Sequence, residues 1–228
     1  MILLGIESSS ESISLGAMDN NEVIFNFRRK LKRGASKIIG YLNALLEKNS
    51  LRWEDISCFV VGSGPGSFTS LRISFSIVKG LSAALGKPVI SLGSFYSIAE
   101  GVKNLAPRIA VVTDARRKLI YAVTFKVKKD GSLKKENQER LCSLKDFSER
   151  FKDYFFVSYD SNIREETKRI FPKIKFYRKD VYPEILPLLN RAKDYYKIKR
   201  FSSLDKLEPL YIYPKDCQIR NIHLSDKI

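Results

Sequence analysis

Residues 62–72 read Gly62-Ser63-Gly64-Pro65-Gly66-Ser67-Phe68-Thr69-Ser70-Leu71-Arg72, between a short apolar run and a long helical pattern. Glycines at such a junction permit close backbone approaches that a side chain would block. The free N–H groups of a starting helix can also attract an anion. The spacing matches neither a Walker loop nor G-x-G-x-x-G. From its chemistry alone, the segment is either a structural turn or an anion site.

The helix predicted over residues 68–85 is apolar on two opposite sides. Residues three and four apart share a face of a helix, which gives two sets of apolar positions. The first set is Leu71, Phe75, Val78 and Leu85, and the second is Ile73, Ile77, Leu81 and Ala84. A helix apolar on both sides is buried on both sides. One side can cover the chain's own sheet, whereas the other needs a second helix of the chain or a partner protein.

The elements around this helix predict an α/β fold of the ribonuclease-H-like type. Alternating apolar residues over 2–7, 12–18 and 23–27 predict three strands of an antiparallel meander. Apolar residues at helical spacing predict an amphipathic helix over 35–49. Strands follow over 58–61 and 89–91, and another helix over 94–105. Three meander strands followed by alternating helices and strands is the order of a mixed sheet flanked by helices.

The second half predicts a smaller and less regular lobe. Strands are expected over 109–114, 119–128, 155–159 and 175–177, and helices over 162–171 and 183–196. Prolines in this half make the element boundaries soft. We therefore predict a ribonuclease-H-like N-terminal domain over residues 1–106 and a smaller basic subdomain over 107–228.

Composition favours a reduced, cytoplasmic setting without a membrane partner. No apolar run approaches the roughly 18 residues that a membrane span needs, and the first residues do not resemble a secretory signal. The cysteines Cys58, Cys142 and Cys217 share no metal-ligand spacing. The chain has one histidine, His223, which cannot make a two-histidine metal site. We expect no metal site and no histidine-dependent nucleophile.

The net charge of +16 lies mostly after residue 110. Such an excess of cations raises the local concentration of polyanions such as RNA. A solvated, lysine-rich surface explains the charge equally well. Charge alone therefore permits an RNA partner without establishing one.

Residues 64–73, Gly-Pro-Gly-Ser-Phe-Thr-Ser-Leu-Arg-Ile, closely resemble the G-P-G-S-F-T-G-L-R-I-G signature of the TsaB (YeaZ) family. Four further landmarks agree in order with that family: residues 4–9, residues 79–89, Asp114-Ala115-Arg116-Arg117 with Tyr121, and residues 208–212. The landmarks span most of the chain. The first of them departs from the pattern, because Glu7 stands where the family has aspartate.

The resemblance implies the fold of the actin-like and Hsp70-like ATPase superfamily. It implies a role in forming N6-threonylcarbamoyladenosine at position 37 of tRNAs that read ANN codons. In that family the protein supplies no catalytic residue and pairs with a catalytic TsaD-like subunit. A TsaE-like ATPase joins the two, and the protein's association with tRNA is indirect, through the complex. The resemblance places the contact with TsaD, or a homodimer contact, on the helices 35–49 and 68–85. The partner-binding residues expected there are Ile38, Leu42, Leu45, Arg72, Ile73, Ile77 and Leu81.

A remnant nucleotide site is the second expectation from the superfamily. Its members bind ATP between two lobes, so Glu7, Ser9, Gly64 and Gly66 are candidate remnants. Independent nucleotide binding is not expected, whereas ATP or ADP within the complex remains open. Two other functions also remain open: a free-standing ATPase or peptidase of the superfamily, and a basic tRNA-binding module in the second half.

Overall fold

The computed structural model describes residues 1–30 and 37–212. Its first sheet has five strands in the order β3-β2-β1-β4-β5. These strands are β1 Ile2–Glu7, β2 Ser12–Asp19, β3 Glu22–Lys30, β4 Ile56–Gly62 and β5 Val89–Leu92. β2 pairs antiparallel with β1 and β3, whereas β4 pairs parallel with β1 and β5. The mixed sheet and its strand order confirm the ribonuclease-H-like prediction.

Two helices, α1 (Ile38–Lys48) and α2 (Phe68–Leu85), cover one face of this sheet. Alternation along β1 sends Leu4 and Ile6 toward these helices and Leu3 to the opposite face. The predicted span of α2 is confirmed to the residue, and it ends at Gly86 in the left-handed conformation. Ala35, where the first helix was predicted to begin, lies outside the described residues.

A second sheet of five strands follows, in the order β10-β6-β7-β8, with β9 also paired to β7. Its strands are β6 Arg108–Asp114, β7 Leu119–Val127, β8 Leu133–Lys135, β9 Arg140–Ser143 and β10 Phe155–Val157. The prediction missed β8 and β9, which are too short for an alternating pattern. The strand predicted over 175–177 is wrong, because only a single bridge joins Phe156 and Phe176 there.

The remaining helices complete a layered arrangement. They are α3 Ser94–Glu100, α4 Leu144–Arg150, α5 Ser161–Ile170 and α6 Ile185–Lys197. α3 and α6 lie between the two sheets, whereas α4 and α5 cover the far face of the second. α3 is shorter than predicted, because turns replace the helix from Gly101 onward.

The last helix returns to the first half of the chain. Ile185, Leu188 and Leu189 of α6 are fully buried against β1, β4 and β5. A Cβ on Gly5 would lie 2.4 Å from the Ile185 side chain, so β1 carries a glycine where α6 crosses it. The division into two domains at residue 106 stays a prediction. The first sheet precedes that residue and the second sheet follows it, but α6 from the second half packs on the first sheet.

The C-terminal segment also returns to the first sheet. The Ser202 N–H donates to the Val89 carbonyl oxygen, and the Leu210 N–H donates to the Ser63 carbonyl oxygen. Leu207 is buried in the core beneath α1 and α2. Because β5 ends the first sheet, the contact between Ser202 and Val89 protects its free edge. Within the described part of the chain, no helix combines the length and the apolar character that a bilayer crossing demands.

Candidate functional site

The glycine-rich turn before α2 packs directly against the turn between β1 and β2. A Cβ on Gly66 would lie 2.0 Å from the carbonyl oxygen of Ser9, which no real contact allows. The Ser67 N–H donates to that same oxygen at 2.7 Å. Gly66 is therefore required for a close backbone contact, and Ser67 holds the contact by a hydrogen bond.

Several N–H groups of this turn donate to acceptors within the chain. The Gly64 N–H donates to the Ser94 Oγ at 2.9 Å, and the Ser94 N–H donates back to the Gly64 carbonyl oxygen at 3.0 Å. The Ser67 N–H is also used, so the Gly64 and Ser67 donors are not available to a phosphate. Of the two interpretations of this segment, the geometry favours the structural turn.

Glu7 lies at the centre of this contact and is fully buried. The Ser9 N–H donates to its Oε1 and the Ser94 hydroxyl donates to its Oε2, both at 2.6 Å. A Cβ on Gly62 would lie 1.7 Å from the same carboxyl group, so β4 approaches it without a side chain between them. Burial raises the pKa of Glu7, and the hydrogen bonds from Ser9 and Ser94 oppose the rise. The carboxyl group is enclosed and does not face solvent.

Two polar residues that the sequence did not reveal join this cluster. Ser94, the first residue of α3, bridges Glu7 and Gly64. Tyr159 follows β10, and burial raises the pKa of its phenol, with the nearby Glu7 carboxyl raising it further. Both residues come from elements far from Glu7 in sequence, so no local pattern could identify them. The remnant nucleotide site predicted at Glu7, Ser9, Gly64 and Gly66 stays a prediction that this geometry does not favour.

The faces of α2 are now distinguished. The first apolar set points inward, with Leu71, Phe75 and Val78 buried. Of the second set, Ile73, Ile77 and Leu81 are only half-buried at the margin of the core, and Ala84 is exposed. The side of α2 away from the sheet is polar or small, at Arg72, Ser76, Gly80 and Ala83.

On α1 the structure corrects part of the prediction. Ile38 and Leu42 are both 0% exposed, so their side chains belong to the core and cannot contact a partner. Both fit the helical spacing, which identifies a face but not whether that face points outward. Leu45 is half-buried, and Ile39, which was not among the expected contact residues, is 37% exposed.

Arg72 joins the start of α2 to the C-terminal segment. Its guanidinium lies 3.8 Å from the Phe68 ring centroid, and its Nε donates to the Tyr211 hydroxyl at 3.0 Å. Phe68 is 50% exposed and Tyr211 is 44% exposed. Two exposed aromatic rings thus flank a cation beside the glycine-rich turn, which is a composition enriched at protein interfaces.

The two described cysteines carry weakly acidic thiols. Burial raises the pKa of Cys58 to about 12. Burial also raises the pKa of Cys142, although that residue is only partly covered. The nucleophile is the thiolate, so both are poor nucleophiles near neutral pH. Cys217 and His223 lie outside the described residues, and within the described ranges no group of three His, Cys, Asp or Glu could hold a metal ion.

A family model described as TsaD, tRNA N6-adenosine threonylcarbamoyltransferase, matches residues 31–158. The tRNA threonylcarbamoyladenosine biosynthesis protein TsaB of Bacillus subtilis is 25% identical over 171 residues, 73% of this chain and 74% of that protein. The protein of the same name from Buchnera aphidicola is 27% identical over 221 residues, 92% of this chain and 97% of the other.

A solved structure has the same fold. YeaZ from Pseudomonas aeruginosa superimposes with a TM-score of 0.80 at 20% identity, covering 92% of this chain and 99% of that one. Agreement over nearly the whole of both chains includes both sheets. The layered arrangement is therefore a known fold.

Proposed function

The chain belongs to the family described as TsaD, tRNA N6-adenosine threonylcarbamoyltransferase, and more closely to the TsaB (YeaZ) family; from that premise we propose that it acts in forming N6-threonylcarbamoyladenosine in tRNA, as a subunit without catalytic residues. The modification is made at position 37 of tRNAs that read ANN codons. The chain pairs with a catalytic TsaD-like subunit, and a TsaE-like ATPase completes the complex. The observation that carries the proposal is the incomplete burial of one surface on α1 and α2.

That surface, the α1/α2 face, consists of Ile39, Leu45, Ile73, Ile77 and Leu81. All five are apolar, and none is fully covered by the chain itself. Beside them a Cβ on Gly40 or Gly80 would meet nothing within 4 Å. Small residues let another helix approach closely, while the apolar strip supplies the area to bury. The face suits a helical partner such as the TsaD-like subunit.

The enclosed carboxyl group supports a non-catalytic role. A general acid or base must come within hydrogen-bond reach of the substrate. Both oxygens of Glu7 are bonded to Ser9 and Ser94, and its side chain is fully buried. Any ATP or ADP in the complex is then held by the other subunits rather than by the turn at Gly64.

Co-purification with the TsaD-like subunit tests the surface. Ile77→Glu places a charge where an apolar contact forms, so we expect the complex to be lost while the circular dichroism spectrum is unchanged. Ile198→Glu is the matched control, because Ile198 is 69% exposed and lies beyond α6. Retention of the complex by Ile77→Glu would refute the proposed surface.

Two further measurements separate the alternatives. If the α1/α2 face serves a homodimer instead, light scattering will give a dimer for the chain alone and a monomer for Ile77→Glu. If the chain is a free-standing enzyme, the purified protein will turn over ATP or peptide without partners. We expect instead no turnover alone, and unchanged tRNA modification by the complex when Glu7→Gln replaces the wild type.

A further inference from the structure

Three neighbouring strands of the second sheet carry cations at directly paired positions. Arg108 of β6 is opposite Lys126 of β7, and Lys126 is opposite Lys134 of β8. All three side chains are exposed. Adjacent strands lie about 4.8 Å apart, so this basic row places three positive charges across roughly 10 Å.

The basic row is electrostatically unfavourable in the free protein. Like charges directly opposite each other destabilise a sheet. Within residues 1–30 and 37–212, none of the three cations forms an ion pair. Glu136, two residues after Lys134, accepts a hydrogen bond from the Tyr154 hydroxyl at 2.9 Å. A bound polyanion would relieve this repulsion.

Two arginines extend the row over aromatic rings. Arg140 and Arg150 lie over the Phe151 ring, with guanidinium-to-centroid distances of 5.8 and 5.5 Å. Arg108 lies 5.0 Å from the Tyr154 ring, and the two rings meet edge to face at 5.3 Å. Stacking restricts each guanidinium plane and leaves its N–H edges available to an acceptor.

The five cations lie on the same side of the second sheet. Arg108, Ala110 and Val112 are every second residue of β6 and therefore lie on the same face of the sheet. Ala110 and Val112 are core residues whose side chains face α4 and α5. Arg140 pairs with Ala122, which faces the same way. Phe151 follows α4 and packs on Phe147 at 4.6 Å between ring centroids. We refer to Arg108, Lys126, Lys134, Arg140 and Arg150 together as the basic face; the rings of Phe151 and Tyr154 link Arg140 and Arg150 to Arg108.

We propose that the basic face binds the phosphodiester backbone of RNA. The identity of this RNA rests on the proposed function, which makes it the tRNA substrate. Guanidinium forks match phosphate oxygens, and planar groups interleaved with cations are the usual composition of RNA-binding surfaces. An anionic membrane is less suitable, because surface binding needs apolar side chains to insert. None of the exposed large hydrophobic side chains among the described residues belongs to this face.

The test compares two triple variants of the full chain. Arg108→Gln, Lys126→Gln and Lys134→Gln together remove the basic row. Lys197→Gln, Lys199→Gln and Lys206→Gln remove the same charge from exposed positions outside the second sheet. Affinity for unmodified tRNA is measured by fluorescence anisotropy from 50 to 300 mM salt. We expect the row variant to bind at least about tenfold more weakly near 100 mM salt, with a salt slope shallower by about 2 to 3.

The outcomes separate this proposal from the proposed function. Both variants should still co-purify with the TsaD-like subunit. If the wild-type chain does not co-purify with that subunit, the proposed function is overturned instead. Equal tRNA affinity of the two variants overturns the RNA site. The RNA site is also overturned if the row variant no longer binds phosphatidylglycerol vesicles but still binds tRNA with unchanged affinity. An unchanged or higher melting temperature of the row variant shows that the fold is intact.

Discussion

Gly66→Ala tests whether the glycine-rich turn is a structural contact. The added Cβ would lie 2.0 Å from the Ser9 carbonyl oxygen, 2.7 Å from its carbon and 2.9 Å from the Ser9 Cβ. The nearest two of these are backbone atoms, so no flexible side chain can move away. The turn must retreat by about 1 Å or more to reach ordinary contact distance. That retreat breaks the bond from the Ser67 N–H to Ser9.

The expected change in stability combines three terms. Leaving a buried hydrogen-bonding group unsatisfied costs about 1–3 kcal/mol. Overpacking a close contact costs about 1–3 kcal/mol more. The lower conformational entropy of unfolded alanine offsets about 0.4–1 kcal/mol. The free energy of unfolding should therefore fall by about 1–5 kcal/mol, which lowers the melting temperature by roughly 2–20 °C for a chain of this size.

Thermal unfolding followed by circular dichroism measures the change, with Gly80→Ala as the matched control. A Cβ on Gly80 meets nothing within 4 Å, and the residue is in the middle of α2. Alanine there should raise stability by about 0.5–1 kcal/mol. A melting temperature of Gly66→Ala within about 2 °C of the wild type would show that the turn is not tightly packed and would refute the reasoning.

Two further predictions concern neighbouring groups. The pKa of Glu7 in the folded chain is raised above its unfolded value. As pH rises, Glu7 therefore loses its proton in the unfolded chain before it does so in the folded chain. The free energy of unfolding of the wild type should fall as pH rises from about 4.5 through the folded pKa. Glu7→Gln cannot ionise at this position, so the difference between its melting temperature and that of the wild type should increase in favour of the variant over that range. Parallel plots of melting temperature against pH from pH 4 to 9 would contradict the raised pKa. Arg72→Ala removes the stacking on Phe68 and the bond to Tyr211. It should lower the free energy of unfolding by no more than about 1 kcal/mol yet speed proteolysis near residues 204–211, and unchanged cleavage would show that other contacts hold the segment.

Local pattern was sufficient for much of the first sheet and for α2. The alternation from Ile2 onward predicts the meander, and the glycine after Leu85 predicts where α2 ends. The same patterns could not distinguish the buried Ile38 from the exposed Ile39, because both satisfy helical spacing and only the tertiary fold sets the direction.

Other features depend on pairing between distant segments. The basic row exists because the registers of β6, β7 and β8 align Arg108, Lys126 and Lys134, which are scattered in the sequence. Ser94 reaches Glu7 across 87 positions of chain. The sequence predicted a helix over 183–196 but gave no indication that it packs on the first sheet rather than the second. Tertiary placement of this kind has no local signal.

The return of α6 to the first sheet affects folding during synthesis. As the chain leaves the ribosome, strands β1, β4 and β5 emerge long before the helix that covers their inner face. Until Ile185–Lys197 arrives, the side chains of Leu3, Met18 and Val60 have no covering layer. An N-terminal half that waits with exposed apolar surface is prone to aggregate or to need a chaperone. A fragment ending near residue 106 should therefore be a poor folding unit, even though its own strands form a complete sheet.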